Sequence, residues 1–186
     1  MNEFSEVFFK WKASRALPVC ELPDGYSLRT YRHMDEENWF SIYRAADQHN
    51  RVYSSTFREY FGANTDELSQ RQFYLCNDGG EAIGTATAWF NDDYHGERWG
   101  RVHWVAIKPE YQGRGLAKSL LSAVLHKLEE CGHDKSYLRT YSMREKAIQL
   151  YLGFGFEPHI SNDKDLVIWQ QIAKEISHPE LASYRK

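Results

Sequence analysis

No stretch of this sequence is apolar for long enough to cross a bilayer, which takes roughly 20 such residues. Residues 1–9 carry acidic side chains and no extended apolar segment, so they do not read as a secretory leader. Cysteine is scarce. Cys20, Cys76 and Cys131 are odd in number and widely spaced, which suits a reducing, cytoplasmic compartment and makes no metal cluster. The histidines contain no His-Glu-x-x-His pair and no Cys/His ligand set, so no metal is expected. No Gly-x-Ser-x-Gly elbow occurs. Net charge is −3, so no basic excess draws the chain to nucleic acid. Repeats and low-complexity blocks are absent. Aromatic residues are plentiful instead: 6 Trp, 12 Tyr and 10 Phe in 186 residues, enough for a single core and for part of a pocket wall.

The most informative stretch is residues 100–117, GRVHWVAIKPEYQGRGLA. Val102, Trp104 and Ala106 alternate with His103, Val105 and Ile107, as in an interior strand covered on both faces. On that alternation Arg101, His103 and Val105 share one face. Pro109 cannot donate to a ladder, so the strand should stop near Lys108. Gln112-Gly113-Arg114-Gly115 then puts two glycines where the backbone turns tightly or approaches a ligand. From Leu116 the spacing is helical, through Leu120, Leu121, Val124, Leu125 and Leu128, with Gly132 as a natural stop. Unpaired amides and the dipole at such a helix start favour a phosphate. The turn is not a Walker loop, because Gly115-Leu116-Ala117 lacks the closing Gly-Lys-Ser/Thr. Nor is it a dinucleotide fingerprint, since Lys118 stands where a third glycine or alanine belongs.

A helix and a strand later comes a second informative stretch, residues 147–156, AIQLYLGFGF. The first turn fits the pattern Gln/Arg-x-x-Gly-x-Gly/Ala, and the second stretch fits Ala-x-x-Leu-Tyr-x-x-x-Gly-Phe. In this order and spacing the chain resembles the GCN5-related N-acetyltransferases. The resemblance implies an α/β fold with a mixed, mostly antiparallel twisted sheet of six to seven strands, flanked by about four helices. It implies that the turn formed by Gln112, Gly113, Arg114, Gly115, Leu116, Ala117 and Lys118 holds the diphosphate of acetyl-coenzyme A. The backbone of Val105, Ala106 and Ile107 would bind the pantetheine arm, and Tyr151 would protonate the departing sulfur. Many relatives carry Asn three residues before the alanine; Arg144 stands there, and an arginine also reaches a phosphate. The face bearing Arg101 and His103 would look into the acceptor cleft, where some arylalkylamine acetyltransferases of this fold place histidines. A homodimer is a common family arrangement.

Taken in order, residues 1–24 read as an N-terminal extension in which Val7, Phe8, Phe9 and Trp11 make either a short strand or an amphipathic turn. Residues 25–173 form the single domain. Residues 26–32 alternate as a strand, and Asp35 suits the N-cap of a helix whose Trp39, Ile42, Tyr43 and Ala46 face the core. A short helix over 65–71 precedes strands at 72–76 and 82–90, joined by the turn Asn77-Asp78-Gly79-Gly80. Residues 91–98 read as a polar loop. Its Asp93 and Glu97 either attract an ammonium-bearing acceptor or are simply solvated. Residues 136–141 should run parallel to the organising strand through a right-handed crossover. Residues 165–172 alternate and suit a last antiparallel strand, and 174–186 form a polar tail.

The expected activity is direct acetyl transfer from acetyl-coenzyme A to a primary amine, small or peptidyl, with no acyl-cysteine. His103 titrates near neutrality and is the candidate base, with Glu97 and Asp93 as weaker ones. A non-catalytic acyl-coenzyme A-binding module would keep the glycine turn and need neither Tyr151 nor a base.

Overall fold

The computed structural model describes residues 5–13, 17–47, 51–53 and 55–185. Its first strand, β1 (Glu6–Lys12), comes from the stretch read as an extension. Val7, Phe9 and Trp11 are buried on alternate positions while Glu6 and Lys12 stay exposed. That stretch is therefore no appendage. It pairs antiparallel on both sides, inside the sheet. The Phe9 ring meets Trp169 edge-on at 4.9 Å and Tyr151 at 5.7 Å, which gives the strand an apolar anchor.

β2 (Tyr26–Thr30) leads to α1 (Asp35–Ala46). Asp35 is not the N-cap. Met34 holds that place at φ 72°, and Asp35 is the first helical residue. Its buried carboxylate takes two bonds from the Arg29 guanidinium at 2.5 and 2.8 Å, one from the Arg32 amide at 2.6 Å and one from Asn38 at 2.7 Å. Two short helices, α2 (Thr56–Phe61) and α3 (Thr65–Arg71), bring the chain to β3 (Gln72–Asn77).

β4 (Ala82–Tyr94) and β5 (Glu97–Ile107) are longer than the sequence suggested. The expected loop over 91–98 is two strand ends and a tight turn. His95 and Gly96 both have positive φ, 56° and 81°, between the last pair Tyr94 and Glu97. Two consecutive left-handed residues match the right-handed twist of a hairpin, which is why so short a turn closes it. Asp93 accepts the Gly96 amide at 3.1 Å and supports that turn.

After a 3₁₀ turn at Pro109–Tyr111 comes α4 (Leu116–Glu130), ending as expected before Gly132, which sits at φ 79°. β6 (Lys135–Tyr141) runs parallel to β5. α5 (Glu145–Gly153) is followed by β7 (Glu157–His159) and α6 (Asp163–Glu175).

α6 corrects the reading of 165–172 as a strand. Ile168, Trp169, Ile172, Ala173 and Ile176 are buried at helical spacing, while Val167 is 51% exposed. Asn162 caps the start by accepting the Asp165 amide at 3.1 Å. A short apolar window fits either period, and packing chose the helix. The tail is also less peripheral than its composition suggests: Ile176 and Leu181 are buried, and a second 3₁₀ turn spans Pro179–Tyr184.

Among the described residues, seven strands form one mixed sheet in the order β2-β3-β4-β5-β6-β1-β7, in which β5 and β6 are the parallel pair. β5 is covered on both faces, as expected. Val102 and Ile107 enter the larger apolar cluster with the leucines of α4, and Ala106 enters a smaller one built on α1, α2 and α3.

Candidate active site

The site begins with a break in the sheet. β5 and β6 pair at Gly100 with Ser136 and at Arg101 with Tyr137, and no further register continues along their remaining lengths. Beyond Arg101 the two parallel strands part, leaving one edge of β5 without a strand partner. A β-bulge sits at the same level. His103 pairs with Thr87 and Ala106 with Thr85, so Trp104 and Val105 stand opposite Ala86 alone. Trp104 has φ 52°, a left-handed conformation that costs a non-glycine residue about 1–3 kcal/mol. An aromatic cage holds it there, with Trp39 at 5.1 Å, Tyr43 at 4.8 Å and Tyr60 at 4.9 Å.

The bulge also corrects the expected face pattern. Arg101, His103 and Trp104 now look to the side of α1 and α2, while Val105 packs with the larger cluster. An inserted residue shifts the period of two by one, so no alternation read from sequence survives it.

The glycine turn lies at the far end of the opening. Gly113 and Gly115 have φ 76° and 81°, and a β-carbon on either would meet nothing within 4 Å. Gly115 is the N-cap of α4, and no side chain caps the helix. Gln112 donates its amide to the Pro109 carbonyl at 3.1 Å, and Lys118 donates to Gly115 at 3.0 Å. Those two expected amides are engaged by the chain itself. The amides of Gly113, Arg114, Gly115, Leu116 and Ala117 have no acceptor among the described residues. The side chains of the turn brace it: Gln112 bonds the Ile107 carbonyl at 2.8 Å, and Arg114 bonds the Tyr26 hydroxyl at 2.8 Å and the Glu110 carbonyl at 2.9 Å. Leu116 is buried in the core and offers only its backbone. An open, uncapped helix start of this kind fits a diphosphate.

Between the parted strands lies a cleft of about 100 Å³ whose wall includes His103, Tyr151, Arg101, Arg139, Arg144 and Trp104. A larger cavity of about 360 Å³, near Lys10, Pro18 and Phe154, contains none of the expected site residues. Tyr151 is 7% exposed and lies edge-on to Phe9 and Phe156, at 5.7 and 6.0 Å. Burial pushes its phenol up to about 12, against a smaller opposing pull from Arg144. It remains a protonated donor across the physiological range. His103 is 5% exposed, and its Nε2 has no hydrogen-bond partner among the described residues. Its ring rests against Tyr60 at 5.5 Å and Phe61 at 5.6 Å. Burial first, then Arg101 and Arg139, hold this imidazole well below its ordinary value, so it is neutral.

Arg144 lines the cleft too, at the N-cap of α5. Its guanidinium bonds Asp47 at 2.8 Å and lies over the Tyr141 ring at 5.1 Å. The acidic acceptor loop does not form. Glu97 pairs with Lys135 at 2.5 Å, which holds its carboxyl below the usual range; Asp93 serves the hairpin turn; and neither lines the cleft. Asp47, Trp104, Arg139 and Tyr141 are cleft residues that the sequence did not single out for this role, and Tyr43 and Tyr60 line the cleft with them. Arg139 and Tyr141 carried the one available signal, as alternate positions of the strand that follows the crossover.

An uncapped helix start, joined through a split in a mixed sheet to a buried phenol and a neutral imidazole, is the site geometry of this α/β domain. The chain belongs to the GCN5-related N-acetyltransferase family: the acetyltransferase (GNAT) family model matches residues 28–156. Members of that family use acetyl-coenzyme A as co-substrate. The match leaves out β1 before it, and β7, α6 and the second 3₁₀ turn after it. Among curated relatives, the mycothiol acetyltransferase of Pseudarthrobacter chlorophenolicus is 32% identical over 150 residues, covering 77% of this chain and 46% of that protein. The one from Streptomyces coelicolor is 30% identical over 146 residues, covering 77% and 46%. The chain thus spans about half the length of the curated relatives it matches. Solved structures agree on the fold. The GCN5-related N-acetyltransferase from Sphaerobacter thermophilus superposes with a TM-score of 0.66 at 19% identity, covering 83% of this chain and 48% of that one. The ribosomal-protein-S18-alanine N-acetyltransferase from Escherichia coli gives 0.58 at 21%, covering 73% and 79%.

Proposed function

We propose that this chain transfers the acetyl group of acetyl-coenzyme A directly to a primary amine. The observation that carries the reading is the parting of β5 and β6 beyond Arg101, with the uncapped turn at one end and Tyr151 and His103 at the other. The free amides of Gly113, Arg114, Gly115, Leu116 and Ala117 would hold the diphosphate. The open edge of β5 at Val105, Ala106 and Ile107 would bond the pantetheine amides. Arg144, anchored by Asp47, and the exposed side chain of Lys118 stand as further cationic groups for the same ligand.

In this reading the amine nitrogen bonds to the acetyl carbon, the carbon–sulfur bond breaks, and the amine loses a proton. The His103 imidazole, which lines the cleft, takes that proton. Its weak basicity suits uptake after the forming bond has acidified the nitrogen, rather than from a free ammonium. Tyr151 sets its hydroxyl toward the departing sulfur. A thiol has a reference value near 8.5 and this phenol stands at about 12, so Tyr151 stabilises the thiolate by a hydrogen bond and solvent completes the protonation. Positioning two reactants in one cleft supplies much of the remaining rate. None of the three free cysteines lines the cleft, which supports direct transfer. Free thiols also suit a cytoplasmic setting.

Calorimetric titration with acetyl-coenzyme A, followed by free-thiol release across a panel of amines, tests the reading. Micromolar binding and amine-dependent thiol release are expected. Absence of binding at high micromolar ligand overturns it. Binding without release from any amine would leave the non-catalytic module in its place.

A further inference from the structure

We propose that the acceptor amine carries a carboxylate within a few atoms of its nitrogen, and that Arg101 receives it. This rests on the acetyltransferase reading and names the substrate class of the same cleft. The cleft wall is cationic, with Arg101, Arg139 and Arg144 against the single carboxylate of Asp47. Two of the arginines are matched. Arg144 bonds Asp47 at 2.8 Å, and Arg139 pairs with Glu6 at 3.0 Å. Arg101 has no carboxylate partner among the described residues. Its guanidinium instead lies over the Tyr137 ring, 5.5 Å from the centroid.

That arrangement is costly without an occupant. A partly buried guanidinium loses hydration, and Arg139 adds repulsion of like sign. The strand geometry places the charge usefully. Arg101 and His103 are alternate residues before the bulge, opposite Trp89 and Thr87, so they share a face with Cα atoms about 6–7 Å apart. Neighbouring side chains on one strand face can meet both ends of one amino acid, its nitrogen toward His103 and its carboxylate on the arginine fork. A planar two-oxygen anion matches the guanidinium in a bidentate pair.

The test compares matched amines in the thiol-release assay: L-phenylalanine against phenethylamine, β-alanine against propylamine, and O-phosphoethanolamine against ethanolamine. The carboxylate-bearing member of the first two pairs should have a kcat/KM higher by about tenfold or more, the worth of a charge-assisted pair. Arg101→Gln should bring that ratio close to one, Arg101→Lys should restore part of it, and Arg101→Glu should invert it. Equal or reversed preference in the wild type, or a preference that survives Arg101→Gln, overturns the proposal. A preference confined to the phosphate pair overturns the carboxylate assignment. Failure of the parent reading looks different, since acetyl-coenzyme A then does not bind or no amine releases thiol. In that event calorimetry with the same pairs decides: tighter binding of the carboxylate member that Arg101→Gln abolishes supports the inference, and equal or absent binding overturns it.

Discussion

Tyr151→Phe is the sharpest test of the chemistry, because the structure separates the hydroxyl from the ring. The ring packs edge-on with Phe9 and Phe156 and is 7% exposed, so phenylalanine keeps every apolar contact. Stability should change by no more than about 1 kcal/mol. What is lost is a single donor to a developing thiolate. A hydrogen bond to a charged group contributes about 1.5–3 kcal/mol, so kcat should fall by roughly ten- to a hundredfold. The diphosphate cradle belongs to a different element, so the Kd for acetyl-coenzyme A should move less than about threefold. Steady-state thiol release separates kcat from KM, calorimetry gives the Kd, and thermal unfolding excludes misfolding. The wild type should also show no loss of rate from Tyr151 ionisation below about pH 11, because its phenol titrates at about 12. A variant with wild-type kcat, or one whose loss follows its loss of fold, refutes the role given to this hydroxyl.

Gly115→Glu should abolish acetyl-coenzyme A binding by calorimetry. A side chain at φ 81° costs about 1–2 kcal/mol and puts bulk and negative charge into the cradle, while the space around it keeps the fold intact. Phe9→Ala should destabilise the protein by about 3–5 kcal/mol in denaturant unfolding, since Phe9 is buried against Trp169, Tyr151 and Phe156; a cost below 1 kcal/mol would mean β1 is not a working part of the sheet. Stability should fall as pH rises from about 10 to 12. Tyr151 ionises near 10 when unfolded and at about 12 when folded, so the unfolded chain binds fewer protons in that window, and the loss from this group is at most about 2–3 kcal/mol. A flat unfolding midpoint across that range would contradict the burial of this phenol.

What could be read from the sequence was local. Strand, turn and helix over 100–117 depend on Pro109 lacking a donor, on glycines free to take positive φ, and on a leucine spacing set within one helix. The stop at Gly132 and the Tyr151 motif are local in the same way, and each lies where the sequence placed it. Tertiary structure decided the rest because the deciding partners are distant in the chain. β1 enters between β6 and β7 only because residues 135–141 and 157–159 are there to bond it. Residues 163–175 become a helix because β1 and β7 already complete that side of the sheet and need an apolar cover. The bulge at Trp104 shifts Val105 to the other face, and nothing in the alternation of its neighbours announces it. Glu97 reads as a free acid until Lys135 arrives across the sheet, and Arg101 as a residue of the acceptor face whose charge partner stays open until its neighbours take their own. Which charges are left to meet a ligand is a property of the whole pairing, and only the folded chain completes it.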